Sequence, residues 1–449
     1  MADYARIFKA YDIRGVVPDD LDEQAAEAVG AAFVRLTGAS AVVTAHDMRA
    51  SSPVLAAAFG RGVTAQGADV ISAGLGSTDL LYYASGSLDI PGAMITASHN
   101  PARYNGIKLC RAGARPVGAD TGLVQLQEMV AAGVPAFSGP PGTAHERDLL
   151  SAYAAYLKTL VDLSAIRPLR VAVDAGNGMA GYTVPRVFED LSIETEPLYF
   201  ELDGSFPNHE ANPIDPRNLV DLQKKVRASG ADLGLAFDGD ADRCFVVDER
   251  GEIVSPSVLT ALIAVRELAR EPGATIIHNL ITSRAVPEIV TEHGGTPVRT
   301  RVGHSFIKAR MAQENAVFGG EHSGHFYFRD FWFADSGMLA ALHVLAAVGA
   351  SDRPLSELLA DYSRYVATGE INSEVSDQAA TTEQIRAAFA GRPGLTTDDL
   401  DGLTVSGPDW WFNVRPSNTE PLLRLNVEAG DEATLAGIRD EVLAIVHDD

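Results

Sequence analysis

Short β-branched runs alternate with alanine-rich stretches of helical length over most of this chain, and that alternation admits few folds outside layered α/β architecture. Ala41–Thr44, Asp69–Ile71 and Ala93–Thr96 read as strands, with a helix over Pro53–Ala65 between the first two. Residues 131–143, rich in Gly and Pro, read as a linker. Beyond it come a helix over Leu149–Leu163, strands over Arg170–Asp174 and Asp232–Phe237, and a hairpin over Cys244–Val254 that turns at Glu249-Arg250-Gly251. A helix over Ser257–Arg270, a strand over Thr275–His278 and a helix over Ser336–Ala347 form a third unit. Tyr365–Asp449 forms a smaller last one around the strand pair Trp410–Val414 and Leu422–Val427. At 449 residues the chain has room for three or four domains of about 100–200 residues each, and no repeat shows by residue identity.

Charge narrows the partners. A formal net charge of −24 repels the phosphate backbone of nucleic acid and the anionic faces of membranes, so neither is expected as a partner. An anionic small substrate would need basic residues converging in a cleft while acids cover the outside. The two cysteines, Cys110 and Cys244, cannot supply a four-thiolate zinc site. The first ten residues carry charges where a signal peptide needs an apolar run, and the apolar stretch Gly337–Ala350 is too short to span a bilayer and contains His343. The expected setting is the cytoplasm.

Four loops carry groups capable of chemistry. In Thr96-Ala-Ser-His-Asn-Pro101, a serine at a strand end stands beside a histidine and a rigid Asn-Pro turn, well placed as an exposed nucleophile. Turn hydrogen bonds from Ser98 and Asn100 are the plainer reading. In Asp238-Gly-Asp-Ala-Asp-Arg243, carboxylates at alternate positions between two apolar strands would repel one another without a cation. Hard oxygen ligands favour magnesium or calcium over zinc. An EF-hand would fit Asp238, Asp240, Asp242 and Glu249, but its sixth position requires Gly where Arg243 stands, and strands rather than helices flank the loop. A phosphatase with an Asp nucleophile would need a hydroxyl residue at Asp242. In Gly319-Gly-Glu-His-Ser-Gly-His325, Glu321, Ser323 and His325 alternate as acceptors and donors, suited to sugar hydroxyls or, alternatively, to a metal. In Arg415-Pro-Ser-Asn-Thr-Glu-Pro421, an arginine precedes small hydrogen-bonding residues, as in a phosphate nest or an ordinary hairpin loop.

A competing signal comes from Gly176-Asn-Gly-Met-Ala-Gly181, which follows a strand and matches the dinucleotide fingerprint G-x-G-x-x-G, with Glu194 and Glu196 near the ribose-binding distance. A dinucleotide-dependent oxidoreductase is therefore the rival from another class. It leaves the acidic triplet and the serine loop unused.

In this order and spacing the four loops, together with Phe8-Lys-Ala-Tyr-Asp-Ile-Arg-Gly15, resemble the α-D-phosphohexomutase family, and closely its phosphomannomutase/phosphoglucomutase branch. The resemblance covers nearly the whole chain. It implies an α/β fold of four domains around a central cleft, three related mixed-sheet α/β domains plus a smaller C-terminal α+β domain. The expected divisions are 1–147 with the phosphoserine loop, 148–252 with the metal loop, 253–364 with the sugar loop, and 365–449 as a phosphate-binding lid. By the same likeness Ser98 is the phosphoserine and, with Asp238, Asp240 and Asp242, holds one Mg2+ per chain. Arg14 and Lys108 line the reaction centre beside His99. Tyr11, Arg243, His304, Lys308, Glu321, Ser323 and His325 contact substrate, and Arg415, Ser417, Asn418 and Thr419 hold the phosphate that is not reacting.

The implied reaction interconverts hexose 1-phosphate and hexose 6-phosphate, of mannose and/or glucose, through a 1,6-bisphosphate, with glucose 1,6-bisphosphate or a similar compound as activator. Phosphoglucosamine mutase is the alternative within the class, disfavoured because His322 stands where amino-sugar relatives carry glutamine. Two departures stand out. Ile281 occupies a position where several relatives carry lysine, so Arg284 is expected to supply that basic contact, and Val302 replaces a common threonine. Lys108, its pKa lowered by Arg14, is the favoured general base, with His99 orienting the serine loop. The chain is expected to be a monomer or dimer.

Overall fold

The computed structural model describes residues 4–416 and 422–447. Its strands form four sheets, one in each successive stretch of chain. The first is mixed, in the order Ile13–Val16, Tyr104–Arg111, Gly92–Ile95, Ala41–His46, Asp69–Leu75, Ala144–Glu146, with Arg115–Pro116 paired beside Tyr104–Arg111. The second runs Ile253–Val254, Cys244–Asp248, Leu233–Phe237, Leu169–Asp174, Ile193–Leu198. The third runs Thr296–Thr300, Thr275–Asn279, Phe318–Gly320, Phe326–Phe328, Ala334–Asp335. The fourth is wholly antiparallel, Val366–Glu374, Leu422–Ala429, Trp410–Pro416, Leu403–Ser406, Thr396–Asp398.

A repeat invisible in residue identity appears in this topology. In each of the first three sheets, four strands taken in chain order lie side by side as second, first, third, fourth. The first pairs in parallel with both the second and the third, and the fourth returns antiparallel to the third. The serine loop, the acidic loop and the Glu-His-Ser-Gly-His loop all connect the third strand to the fourth. They therefore leave equivalent carboxyl ends, the edge at which open α/β sheets bind ligands.

Buried apolar side chains explain how these loops meet. One continuous core, with members such as Leu80, Tyr153, Leu235 and Phe331, joins the first three units. At its centre lies the helix Gly337–Gly349, buried at every residue and capped by Ser336, whose hydroxyl accepts the Leu339 N–H at 3.0 Å. A helix apolar all round belongs in a core, which accounts for the longest apolar run of the sequence. Among the described residues no helix is long and apolar enough to cross a membrane. The last unit has its own core around Phe389, Phe412 and Leu425. It docks on the third unit through Trp411 against Leu280 and Ile281.

Candidate active site

The strand Gly92–Ile95 delivers Ser98 into a buried turn in which Ser98 adopts φ = 51°, the left-handed region that a non-glycine residue enters at a cost of about 1–2 kcal/mol. The turn is clamped from both sides. The Ser98 N–H donates to Thr96 Oγ1 at 2.9 Å, and Arg49 Nη2 donates to the Ser98 carbonyl at 2.9 Å. So held, the Ser98 hydroxyl donates to Asp238 Oδ2 at 2.8 Å across 140 residues of chain, with His99 Nδ1 3.2 Å away. Burial, and then the charges of Arg243 and Arg14, hold the His99 imidazole well below its usual range, so it stays neutral at pH 7.

Opposite Ser98, the strand Leu233–Phe237 ends in the acidic loop, where Asp238, Asp240 and Asp242 are all buried and offer ligand oxygens within 4.8 Å of one another. Thr78 donates through its hydroxyl to Asp240 Oδ2 at 2.6 Å and through its N–H to the Asp240 carbonyl at 3.0 Å. Arg243 Nε donates to Asp238 Oδ2 at 2.8 Å. Lys108 Nζ lies 2.6 Å from both Asp240 and Asp242. Burial pushes Asp240 up, but the Lys108 charge outweighs it and holds the carboxyl below the usual range. Asp242, buried beside the charge of Asp240, is pushed up to about 7. Oδ1 of Asp240 and Oδ1 of Asp242 are buried without a hydrogen-bond partner. Unpaired buried carboxylate oxygens are costly, and oxygen-only donors of this kind suit a hard divalent cation, for which the Lys108 ammonium stands in here.

The third loop joins from the side. The backbone of Arg243 bridges that of His325, and Cys244 N–H donates to the Gly324 carbonyl at 3.2 Å. His325 Nδ1 faces Asp335 Oδ2 at 3.0 Å and Asp242 Oδ1 at 3.8 Å, leaving Nε2 as the free ring atom. Burial lowers the imidazole, yet Asp242 and Asp335 together raise it above its ordinary value. A cavity of about 340 Å³ brings together Tyr11, Arg14, Ser98, His99, Lys108, Asp242 and His325. A larger cavity of about 530 Å³ opens beside His322, Ser283 and Glu428, and no residue of the loops 96–101 and 238–243 lines it.

Other expected contacts fall elsewhere. Lys108 sits between Asp240 and Asp242, and against the expectation of a lowered value, burial is outweighed by the two carboxylates, which drive it well above the ordinary lysine value. Arg14 instead bonds Asp12 and the Asn100 side chain. Lys308 sits behind the site, 3% exposed, with Nζ 2.6 Å from Asp335 and 4.2 Å from the Tyr82 ring centroid. Arg243 braces the acidic loop from beneath rather than facing the cavity. Arg284 packs over Tyr365 with Nε 3.6 Å from Glu288, so it does not replace a lysine at Ile281, whose side chain is spent against Trp411. Glu321 is buried, accepting from the Tyr327 hydroxyl at 2.6 Å and more weakly from Asn279 and the Gly303 N–H. Ser323 is half-buried beside it. Arg415 pairs with Glu370 at 3.2 Å, and its charge, like that of Glu321, reaches the Tyr11 hydroxyl. Ser417, Asn418 and Thr419 lie outside the described residues, as does the side chain of His304.

The glycine fingerprint has a packing role instead. A Cβ on Gly178 would come 2.7 Å from the Gly239 carbonyl, and one on Gly239 would come 2.3 Å from the Ser98 carbonyl. These glycines let three loops stack in contact, while Glu194 and Glu196 pair outside with Arg170 and Lys225. Sequence reasoning missed Arg49, Thr78 and Asp335. Arg49 was signalled only by the polar run Asp47-Met-Arg-Ala-Ser-Ser52 at a strand end.

Comparison with known proteins agrees with this geometry along the whole chain. Residues 5–130, 151–251 and 256–365 match the phosphoglucomutase/phosphomannomutase α/β/α domains I, II and III, and residues 370–445 match the C-terminal domain of the same proteins. A protein of Xanthomonas campestris named for phosphohexose mutases is 42% identical over 439 residues, covering 97% of this chain and 98% of its own. A phosphomannomutase of Escherichia coli K12 is 39% identical over 445 residues, covering 97% of each. The crystal structure of a phosphoglucomutase/phosphomannomutase family protein from Burkholderia thailandensis superposes with a TM-score of 0.90 at 35% identity, covering 99% of this chain and 97% of that one.

Proposed function

The chain belongs to the phosphoglucomutase/phosphomannomutase family and is a hexose-phosphate mutase, and we propose that it works through Ser98 as the phosphoryl carrier, on mannose and glucose phosphates. The observation that supports this role is the Ser98 hydroxyl lying 2.8 Å from the first carboxylate of the acidic triplet. We take the chain as four domains, 1–147, 148–252, 253–364 and 365–449, the first three of which line the cavity at this point.

Asp238, Asp240, Asp242 and the oxygen on Ser98 would hold one Mg2+, consistent with the unpaired Oδ1 atoms of Asp240 and Asp242. That ion supplies positive charge against the transferring phosphoryl group. The protein's own part is position and charge, which dominate phosphoryl transfer. Arg14 and Lys108, both mostly buried, contribute fixed positive charge at the cavity. Arg415 and the loop after it would hold the remote phosphate, with Glu321, Ser323, His304 and Tyr11 around the sugar.

Proton movement falls to His325 rather than Lys108. In the neutral imidazole Nδ1–H donates to Asp335, so Nε2 accepts. The attacking hexose hydroxyl gives its proton to Nε2 as its oxygen bonds phosphorus and the P–Oγ bond to Ser98 breaks, its electron pair staying on Oγ as the alkoxide that takes up the other phosphoryl group in the return transfer. In the return transfer, the same ring protonates the departing sugar oxygen. Between the two steps the 1,6-bisphosphate turns end for end inside the cleft. Glucose 1,6-bisphosphate acts as activator by recharging Ser98.

Intact-mass measurement after incubation with glucose 1,6-bisphosphate tests the proposal. One added phosphoryl group, absent from S98A, is expected; a group that persists in S98A assigns the carrier elsewhere. Coupled assays on the 1-phosphates of mannose, glucose and glucosamine then separate the mutases, with glucosamine 1-phosphate expected to be the poorest substrate.

A further inference from the structure

Arg49 is among the largest fully buried side chains in the molecule, 1% exposed, and it carries a charge. Its Nη2 donates to the carbonyls of Ser98 at 2.9 Å and Asn100 at 2.7 Å, and its Nη1 to those of Pro101 and Tyr104, both at 3.0 Å. Its Nε faces Asp47 Oδ2 at 3.2 Å, and Asp47 in turn accepts from the Arg49 N–H and from Ser52. The second unit closes over it: the Phe206 ring lies 5.0 Å from the guanidinium, and a Cβ on Gly204 would sit 2.6 Å from the Arg49 Cα.

We propose that Arg49 is the positioning residue of the nucleophile loop, gathering four of its carbonyls so that the Ser98 hydroxyl is aimed at the acidic loop. The inference rests on the reading of Ser98 as phosphoryl carrier. A planar guanidinium presents donors spread over two nitrogens, so one rigid group can bind carbonyls that lie on different sides of it. A lysine offers three donors at a single point and cannot span them. With the Ser98 carbonyl held by Arg49 and its N–H by Thr96, rotation about the Cα–Cβ bond is the freedom left to the hydroxyl. Arg49 does not line the cavity, so it acts on transfer and not on substrate affinity.

The test compares wild type and R49K. Three quantities are read: the rate at which glucose 1,6-bisphosphate phosphorylates Ser98, by intact mass; kcat and KM for mannose 1-phosphate; and Mn2+ affinity. R49K is expected to lower both the phosphorylation rate and kcat by about a hundredfold, since misplacement of this order disrupts near-attack geometry, while KM and Mn2+ affinity stay within about threefold. A phosphorylation rate within about threefold of wild type, or a KM that rises in step with the loss, overturns the assignment. Should R49K not fold, D47N decides, because it unclamps the guanidinium and leaves the four carbonyl contacts in reach. A fall of about tenfold with unchanged KM is expected, and an unchanged rate refutes the role. A wild type that takes no phosphoryl group at position 98 removes the underlying reading itself, and that outcome is distinct from any result on the variants.

Discussion

At position 325 two roles meet in one ring: Nδ1 is tied to Asp335 while Nε2 is left for the cavity. H325Q keeps a polar side chain but loses the proton carrier, so kcat should fall by about 10²–10⁴ while Ser98 phosphate already in place persists; near-normal turnover in steady-state assays would return the base to open question. Lys108 makes the opposite prediction for metal. As an ammonium between two carboxylates it competes with a divalent cation, so K108M should bind Mn2+ about tenfold more tightly than wild type and yet turn over far more slowly. Weaker Mn2+ binding in a titration would show that Lys108 assists the ion instead of competing with it. Ser98, the nucleophile we propose, and the acids were legible in the sequence because their residue types and local spacing carry the chemistry. Arg49 and Asp335 were not, since Arg49 acts on Ser98 from 49 residues away and Asp335 on His325 from ten, and an isolated arginine or aspartate has no local signature.

Loops and strands account for the next level. Gly239 touches the Ser98 carbonyl, and G239A would thrust a methyl group within 2.3 Å of that oxygen. Either the serine loop or the acidic loop must move, so kcat should drop by about a hundredfold and the thermal transition should fall as well. A fully active G239A would mean that contact between the loops is dispensable. The strand Thr275–Asn279 carries a different liability in His278, which burial holds down to about 4, with a lesser push from Arg299. The unfolded chain takes up that proton near pH 6.5, so the group's contribution is complete above 6.5 and declines by about 3 kcal/mol as pH falls to 4. H278Q should therefore flatten the acid limb of stability measured by denaturant unfolding between these pH values. The strands and helices read from periodicity are present to within a few residues, among them Ala41–His46 and Pro256–Arg270, while many shorter elements gave no periodic signal. The glycine fingerprint misled because backbone closeness to a pyrophosphate and backbone closeness to another loop demand the same residues.

The whole molecule is organised as three versions of one sheet joined by a shared core and a fourth unit docked by a small seam. In that seam Trp411 packs on Ile281 while its Nε1–H donates to Glu428 at 2.8 Å, and the same carboxylate accepts the Arg284 N–H at 2.9 Å. W411A should loosen the last unit by about 3 kcal/mol, detectable as earlier proteolysis within residues 365–449 while the first three units resist. Simultaneous cleavage throughout would show that the seam is not an independent hinge. R415A should weaken substrate binding and slow transfer together in the same assays. Composition, the α/β alternation, the acidic triplet and the serine we propose as nucleophile were read from the sequence alone, because they depend on side-chain chemistry and on neighbours close along the chain. Which cation faces which carboxylate was decided only by the tertiary structure. The shared core sets distances between loops more than a hundred residues apart, and over those distances the carboxylates of Asp240 and Asp242 face Lys108 while Asp335 faces His325, the proton carrier we propose.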